Sequence, residues 1–226
     1  MRLSRVPTGI PELDKLIEGG FPRHSMILLS GNPGAGKTIL SAKFIYEGAA
    51  KHDEPGVYVC FAESRGKFVR DMQRFGMDFE SIIHKKRVVI LDLSIGMEID
   101  VQSALNQILE AITSIGARRL VIDSVTAMFA GLKSELEKRH LIRLLYKLIR
   151  KSGCTAIIIT DMPWGSSRIG NSIEEFIADG IILMQSLYDD EGTLRRQLRI
   201  LKMRKTSHTL KTHEYRIDNN GIEIEV

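Results

Sequence analysis

The chain has 226 residues, 43% of them hydrophobic and 27% charged, which is ordinary for a globular protein and enough for one α/β domain with a full core. A formal charge of +4 and a pI of about 9.1 are compatible with binding polyphosphate or nucleic acid but do not require either. No apolar run approaches a membrane span and no secretory signal opens the chain, so a cytoplasmic protein without a membrane partner is expected.

The first strong element is the apolar run Met26-Ile27-Leu28-Leu29-Ser30, the expected buried strand. It leads into Gly31-Asn32-Pro33-Gly34-Ala35-Gly36-Lys37-Thr38, which fits the phosphate-binding pattern G-x-x-x-x-G-K-[ST]. Its glycines allow a tight turn whose N–H groups point inward as a nest, and the helix that follows aims its positive end at the same place. Lys37 suits the β- and γ-phosphates, and the Thr38 hydroxyl suits a Mg²⁺ shell. Apolar Ile39, Leu40, Phe44 and Ile45 predict a helix over 38–50. Strand, loop and helix thus follow in the order a nucleoside triphosphate site requires, with ATP or ADP and Mg²⁺ as its expected ligands.

Further along, 56–61 reads as a second strand, 67–75 as a short amphipathic helix and 87–93 as a third strand, with Lys85-Lys86-Arg87 a solvated loop. Residues 101–115 form a helix, 119–123 a fourth strand, 134–151 a long helix with a basic outer side, and 154–160 a fifth strand. Continuous apolar strands separated by helices argue for a mostly parallel sheet covered on both faces. Four segments without intervening helices, 181–184, 195–203, 213–217 and 222–226, predict antiparallel strands extending one edge. Cys60 and Cys154 read as small core residues, and the six histidines form no ligand cluster.

Several residues carry candidate chemistry. Asp123 ends an apolar strand, where a carboxylate points into the ligand crevice of an open α/β sheet and can hold a Mg²⁺-bound water near Thr38; strands also end in Asp as a turn or helix cap. Glu63, just past the second strand, is a candidate base for the attacking water, or an acid at the start of the next helix. Lys202 and Arg204 share one face of a late strand, with His208 beyond. They suit either a finger on a neighbouring subunit's γ-phosphate or a solvated edge that discourages aggregation, and spacing alone favours the latter. The polar loop 161–172 carries Trp164 and Arg168, which suit contact with single-stranded nucleic acid or a mobile loop.

Read together, the chain resembles the KaiC-like branch of the RecA superfamily of ATPases. The match runs from Val6-Pro7-Thr8-Gly9-Ile10-Pro11-Glu12-Leu13-Asp14-Lys15-Leu16 through the P-loop, Phe75-Gly76-Met77-Asp78 and Val121-Ile122-Asp123-Ser124. It continues through Glu174-Glu175-Phe176-Ile177-Ala178-Asp179-Gly180-Ile181 to Leu201-Lys202-Met203-Arg204-Lys205-Thr206-Ser207-His208. The resemblance implies one RecA-like P-loop NTPase domain over 1–226, assembled with itself as a hexameric ring with ATP between subunits. It also implies that Lys202, Arg204 and His208 reach the neighbour's nucleotide. Two departures stand out. The family carries two adjacent glutamates after the second strand, and here the first is Ala62, leaving Glu63 to do the work from a shifted position or hydrolysis slow. Glu175-Phe176 stands where the clock protein's kinase half has a Ser-Thr acceptor pair, so the ATPase half is the better likeness and a circadian role does not follow. The expected function is a Mg²⁺-dependent ATPase. The alternatives are a nucleotide-gated regulator with little turnover, acting on a protein partner, and a recombinase-like ATPase stimulated by single-stranded nucleic acid.

Overall fold

A computed structural model describes residues 4–94, 101–132, 134–166, 169 and 174–226. A two-residue strand, β1 (Arg5–Val6), pairs antiparallel with β2 (Phe21–Pro22) around the short helix α1 (Pro11–Leu16). Then come β3 (Met26–Gly31), α2 (Lys37–Lys51), β4 (Gly56–Cys60), α3 (Arg65–Gln73), α4 (Phe79–His84), β5 (Val88–Asp92) and α5 (Val101–Ile115). The remainder is β6 (Arg119–Asp123), α6 (Val125–Met128), α7 (Glu135–Ser152), β7 (Thr155–Asp161), α8 (Glu174–Ile177), β8 (Gly180–Tyr188), β9 (Leu194–Met203), β10 (His213–Asp218) and β11 (Gly221–Ile224). Helix α7 starts with a capping box, in which Ser134 accepts from the Glu137 N–H while the Glu137 side chain returns to the Ser134 N–H, and it stops at Gly153 in the left-handed region.

Among the described residues the sheet has nine strands in the order β11-β10-β9-β8-β3-β7-β6-β4-β5. Helices α2, α3 and α4 cover one face around Phe44, Tyr58, Phe68 and Phe79, and α5, α6 and α7 cover the other around Ile108, Leu120, Leu141 and Ile158. The buried central strands explain their near-continuous apolar sequences. Cys60 and Cys154 are buried as expected. Among the described residues no helix is long and apolar enough to cross a membrane.

The predicted C-terminal edge needs one correction. The segment at 181–184 is part of the longer β8, which pairs parallel to β3, so the antiparallel extension begins only with β9. Helix periodicity is missing before β8 because α8 is a single turn, too short to show one. The α4 helix was also invisible to periodicity, for the same reason of length.

Candidate functional site

The C-terminal ends of four parallel strands lie side by side, and the site is built there. Gly31 of β3 is level with Asp161 of β7, and Asp123 of β6 with Cys60 of β4. The P-loop leaves β3 where a side chain cannot be accommodated: a Cβ on Gly31 would sit 1.9 Å from the Met184 carbonyl oxygen. Gly36, the N-cap of α2, has φ +87°, a conformation that favours glycine. Three contacts from elsewhere in the fold hold the loop. The Asn32 side chain donates to Ser186 O at 3.0 Å and accepts from Ser186 N at 2.9 Å, prolonging the β3–β8 pairing with an amide that imitates a strand. Tyr215 of β10 donates to Ala35 O at 2.6 Å.

The predicted side chains converge. Lys37 is buried and its ammonium donates to Gly31 O at 2.8 Å and Asn32 O at 3.1 Å, and pairs with Asp161 at 3.1 Å. Thr38 donates to Asp123 Oδ2 at 2.8 Å. The same oxygen accepts from Tyr58 at 2.7 Å. The cap alternative for Asp123 is taken by its neighbour: Ser124 caps α6 by accepting from Ala127 N, and its hydroxyl donates to Asp161 at 2.8 Å. Burial pushes the Asp123 carboxyl above the usual range, the Tyr58 and Thr38 bonds pull it back, and the negative charges of Asp161 and Glu63 add to the rise. Burial, with the Asp123 charge, holds the Tyr58 phenol neutral well above the usual tyrosine range.

Glu63 lines the same cavity of about 710 Å³, together with Lys37, Thr38, Ala62, Lys67, Asp123, Ser124 and Asp161. It is not the cap of α3, because Ser64 is, accepting from Lys67 N. Instead it pairs with Lys67 at 2.8 Å, and Lys67 also donates to Asp71 at 2.6 Å. Those two carboxylates, Asp71 first, hold the Lys67 ammonium above the usual lysine range.

Thr38 and Asp123 offer hard oxygen donors of the kind Mg²⁺ takes, 2.8 Å apart. Among the described residues no group of three or more His, Cys, Asp or Glu side chains is placed to hold a metal on its own. This donor set fits a Mg²⁺ that takes its remaining ligands from phosphate and water.

Lys202, Arg204 and His208 are not part of this cavity. Lys202 pairs in register with Ile181 of β8, whose neighbour Gly180 is level with Ile27 of β3. That end of the sheet lies four residues, ~13 Å, below Gly31. There Lys202 donates to Glu175 O at 3.1 Å, Arg204 donates to Phe176 O and pairs with Asp179, both at 3.3 Å, and the His208 ring lies 2.8 Å from Thr209 O. Within one subunit Lys202 and Arg204 close the end of α8, away from its own P-loop. Trp164 is half exposed, and Arg168 lies outside the described residues.

Sequence reasoning did not single out Asn32's clip to β8, Tyr58, Lys67, Ser124 and Asp161 as parts of the site. Asp161 carried a readable signal, since it ends an apolar strand just as Asp123 does. Lys67 pairs locally, four residues from both Glu63 and Asp71, and the others are set by contacts between distant segments.

Comparison with known proteins identifies the family. The family described as "ATPase: KaiC" matches residues 6–226. UPF0273 protein MJ1359 of Methanocaldococcus jannaschii is 34% identical, covering 97% of this chain and 96% of its own. The circadian clock oscillator protein KaiC of Prochlorococcus marinus is 30% identical over 98% of this chain, which spans only 45% of that protein. The crystal structure of a KaiC-like protein, PH0186 from Pyrococcus horikoshii, superposes with a TM-score of 0.91 at 38% identity and full coverage of both chains. The chain belongs to the KaiC family of ATPases, within the RecA superfamily.

Proposed function

We propose that this chain binds ATP at the P-loop and, with Mg²⁺, hydrolyses it to ADP and phosphate in a hexameric ring. The observation that carries the reading is the convergence of Lys37, Thr38, Asp123 and Glu63 on one cavity, from three separate stretches at the sheet's C-terminal edge. In this reading the N–H groups of 33–38 and the Lys37 ammonium receive the β- and γ-phosphates. Mg²⁺ supplies neutralisation of phosphate charge when bound, and Thr38 with Asp123 holds it and its water. Glu63 accepts the proton of the water whose oxygen bonds to the γ-phosphorus as the bond to the β-γ bridging oxygen breaks. Lys202, Arg204 and His208 of a neighbouring subunit complete the site. The distance of Lys202 and Arg204 from their own P-loop supports this role, and the resemblance supports it for all three.

Lys37→Ala tests the site: tight ATP binding is expected to vanish, and unchanged affinity would refute the P-loop assignment. Arg204→Ala tests the shared site: turnover is expected to fall with nucleotide affinity largely kept, and full turnover removes the finger from the neighbour. A second reading, a nucleotide-gated regulator with little turnover, is favoured by one observation: the candidate base is already paired with Lys67, and Ala62 offers no other carboxylate. ATPase measurements on size-resolved oligomers, with and without single-stranded DNA, separate these readings.

A further inference from the structure

Tyr58 lies beneath the cavity and has no part in its lining. It is fully buried on β4, and its ring packs on Phe68 of α3 with centroids 4.3 Å apart. Asp123 is level with Cys60, two residues or ~7 Å further along the strand, so the phenol reaches up the sheet to meet it. Both hydroxyl bonds to Asp123, from Tyr58 and from Thr38, land on Oδ2. Ser41, one turn along α2 from Thr38, completes the group: its hydroxyl lies 3.0 Å from the phenol oxygen and 3.0 Å from Thr38 O. The carboxylate torsion of an aspartate is broad, and two donors fixed on one oxygen remove that freedom. Phenylalanine would fill the same space, so the hydroxyl is there for its bond.

We propose that Tyr58 is a positioning residue for the metal end of the site. Anchored by Phe68 and Ser41, it holds Asp123 Oδ2 against Thr38 and leaves Oδ1 to a water of the Mg²⁺ shell. The proposal rests on the Mg²⁺-dependent reading above. It places the control of metal affinity in a buried hydroxyl one layer below the residues that meet the ligand.

Tyr58→Phe keeps the ring and removes the bond. Binding of a fluorescent ATP analogue is followed in EDTA and across a Mg²⁺ titration, beside steady-state ATPase. Affinity in EDTA should be unchanged. The Mg²⁺ concentration for half-maximal tightening should rise about 10-fold, the low end for losing a hydrogen bond to a charged group. The kcat should fall, with KM for ATP at saturating Mg²⁺ within about twofold of the parent, since ATP affinity itself is spared. Ser41→Ala, which removes the hydroxyl lying between the phenol and Thr38 O, should move the Mg²⁺ midpoint in the same direction by roughly 2–10-fold, the net worth of one neutral hydrogen bond. A folded Tyr58→Phe variant with an unmoved Mg²⁺ midpoint overturns the proposal. If that variant does not fold, an unmoved midpoint in Ser41→Ala overturns it. Nucleotide binding by the parent chain that ignores Mg²⁺ overturns the Mg²⁺-dependent reading itself, and this proposal with it.

Discussion

Lys67 decides how available Glu63 is, and removing its charge tests whether Glu63 is the base. The Glu63 side chain is 23% exposed and the Lys67 side chain 55% exposed, and the ammonium is shared with Asp71. An exposed ion pair of this kind is worth 0.2–1 kcal/mol, and solvent screening and the division between two acids put this one in that range. Lys67→Met therefore releases Glu63 by at most about 1 kcal/mol, which is about fivefold in rate. A two- to fivefold rise in kcat is expected in low salt, shrinking toward the parent value at 1 M, where the Debye length is ~3 Å. Glu63→Gln gives the scale, since loss of a general base lowers turnover by about 10²-fold or more. The assay is phosphate release on size-resolved oligomers, with nucleotide affinity measured beside it. A fall in kcat for Lys67→Met would show that Lys67 assists the reaction, and unchanged turnover in Glu63→Gln would show that the proton goes elsewhere. Either result sinks this account of Glu63.

Three further outcomes follow from the same structure. Arg119 is fully buried, donates to Glu54, Pro7 O and Phe44 O, and lies over the Phe44 ring at 4.6 Å. Arg119→Met should cost about 3 kcal/mol, the low end for breaking a buried pair because Glu54 keeps Arg23; a urea-unfolding loss under 1 kcal/mol would contradict this. Burial alone would raise the Glu54 carboxyl, but the bonds and charges of Arg23 and Arg119 outweigh it and leave the group below its ordinary value of 4.5. A carboxylate lowered in the folded state stabilises above the unfolded value and loses that contribution as pH falls through the folded one, so stability should drop below about pH 4.5, and Glu54→Gln should flatten that acid limb in thermal melts. Asn32→Ala leaves buried Ser186 N and O without the amide that serves them, for about 2 kcal/mol, and hydrogen exchange at the Ser186 amide should quicken; unchanged protection there would show that the clip is not holding the loop.

Much of the fold was legible because its signals are local. The apolar runs of β3, β4, β6 and β7 and the periodic faces of α2, α5 and α7 each lie within one stretch of chain, and the structure agrees with them. The helices that escaped are short: α1, α4, α6 and α8 have too few residues for a period to repeat, and the absence of α8 from the sequence pattern misassigned β8 to the antiparallel edge. The site divides the same way. Lys37 and Thr38 announce themselves through the spacing of Gly31 to Thr38, because one loop needs all of those residues within eight positions.

By itself, then, the sequence determined that a phosphate-binding loop stands between a buried strand and a helix, that Asp123 ends a strand of the same sheet, and which family the chain resembles. Only the tertiary structure decided that Tyr58 shares Asp123 with Thr38 and that Asp161 pairs with Lys37. It also decided that Lys202 and Arg204 stand at the far end of the sheet from their own P-loop. The physical reason is strand order. Placing β7 and β6 between β3 and β4 brings residues up to 130 positions apart to one edge, and no spacing along the chain encodes that order.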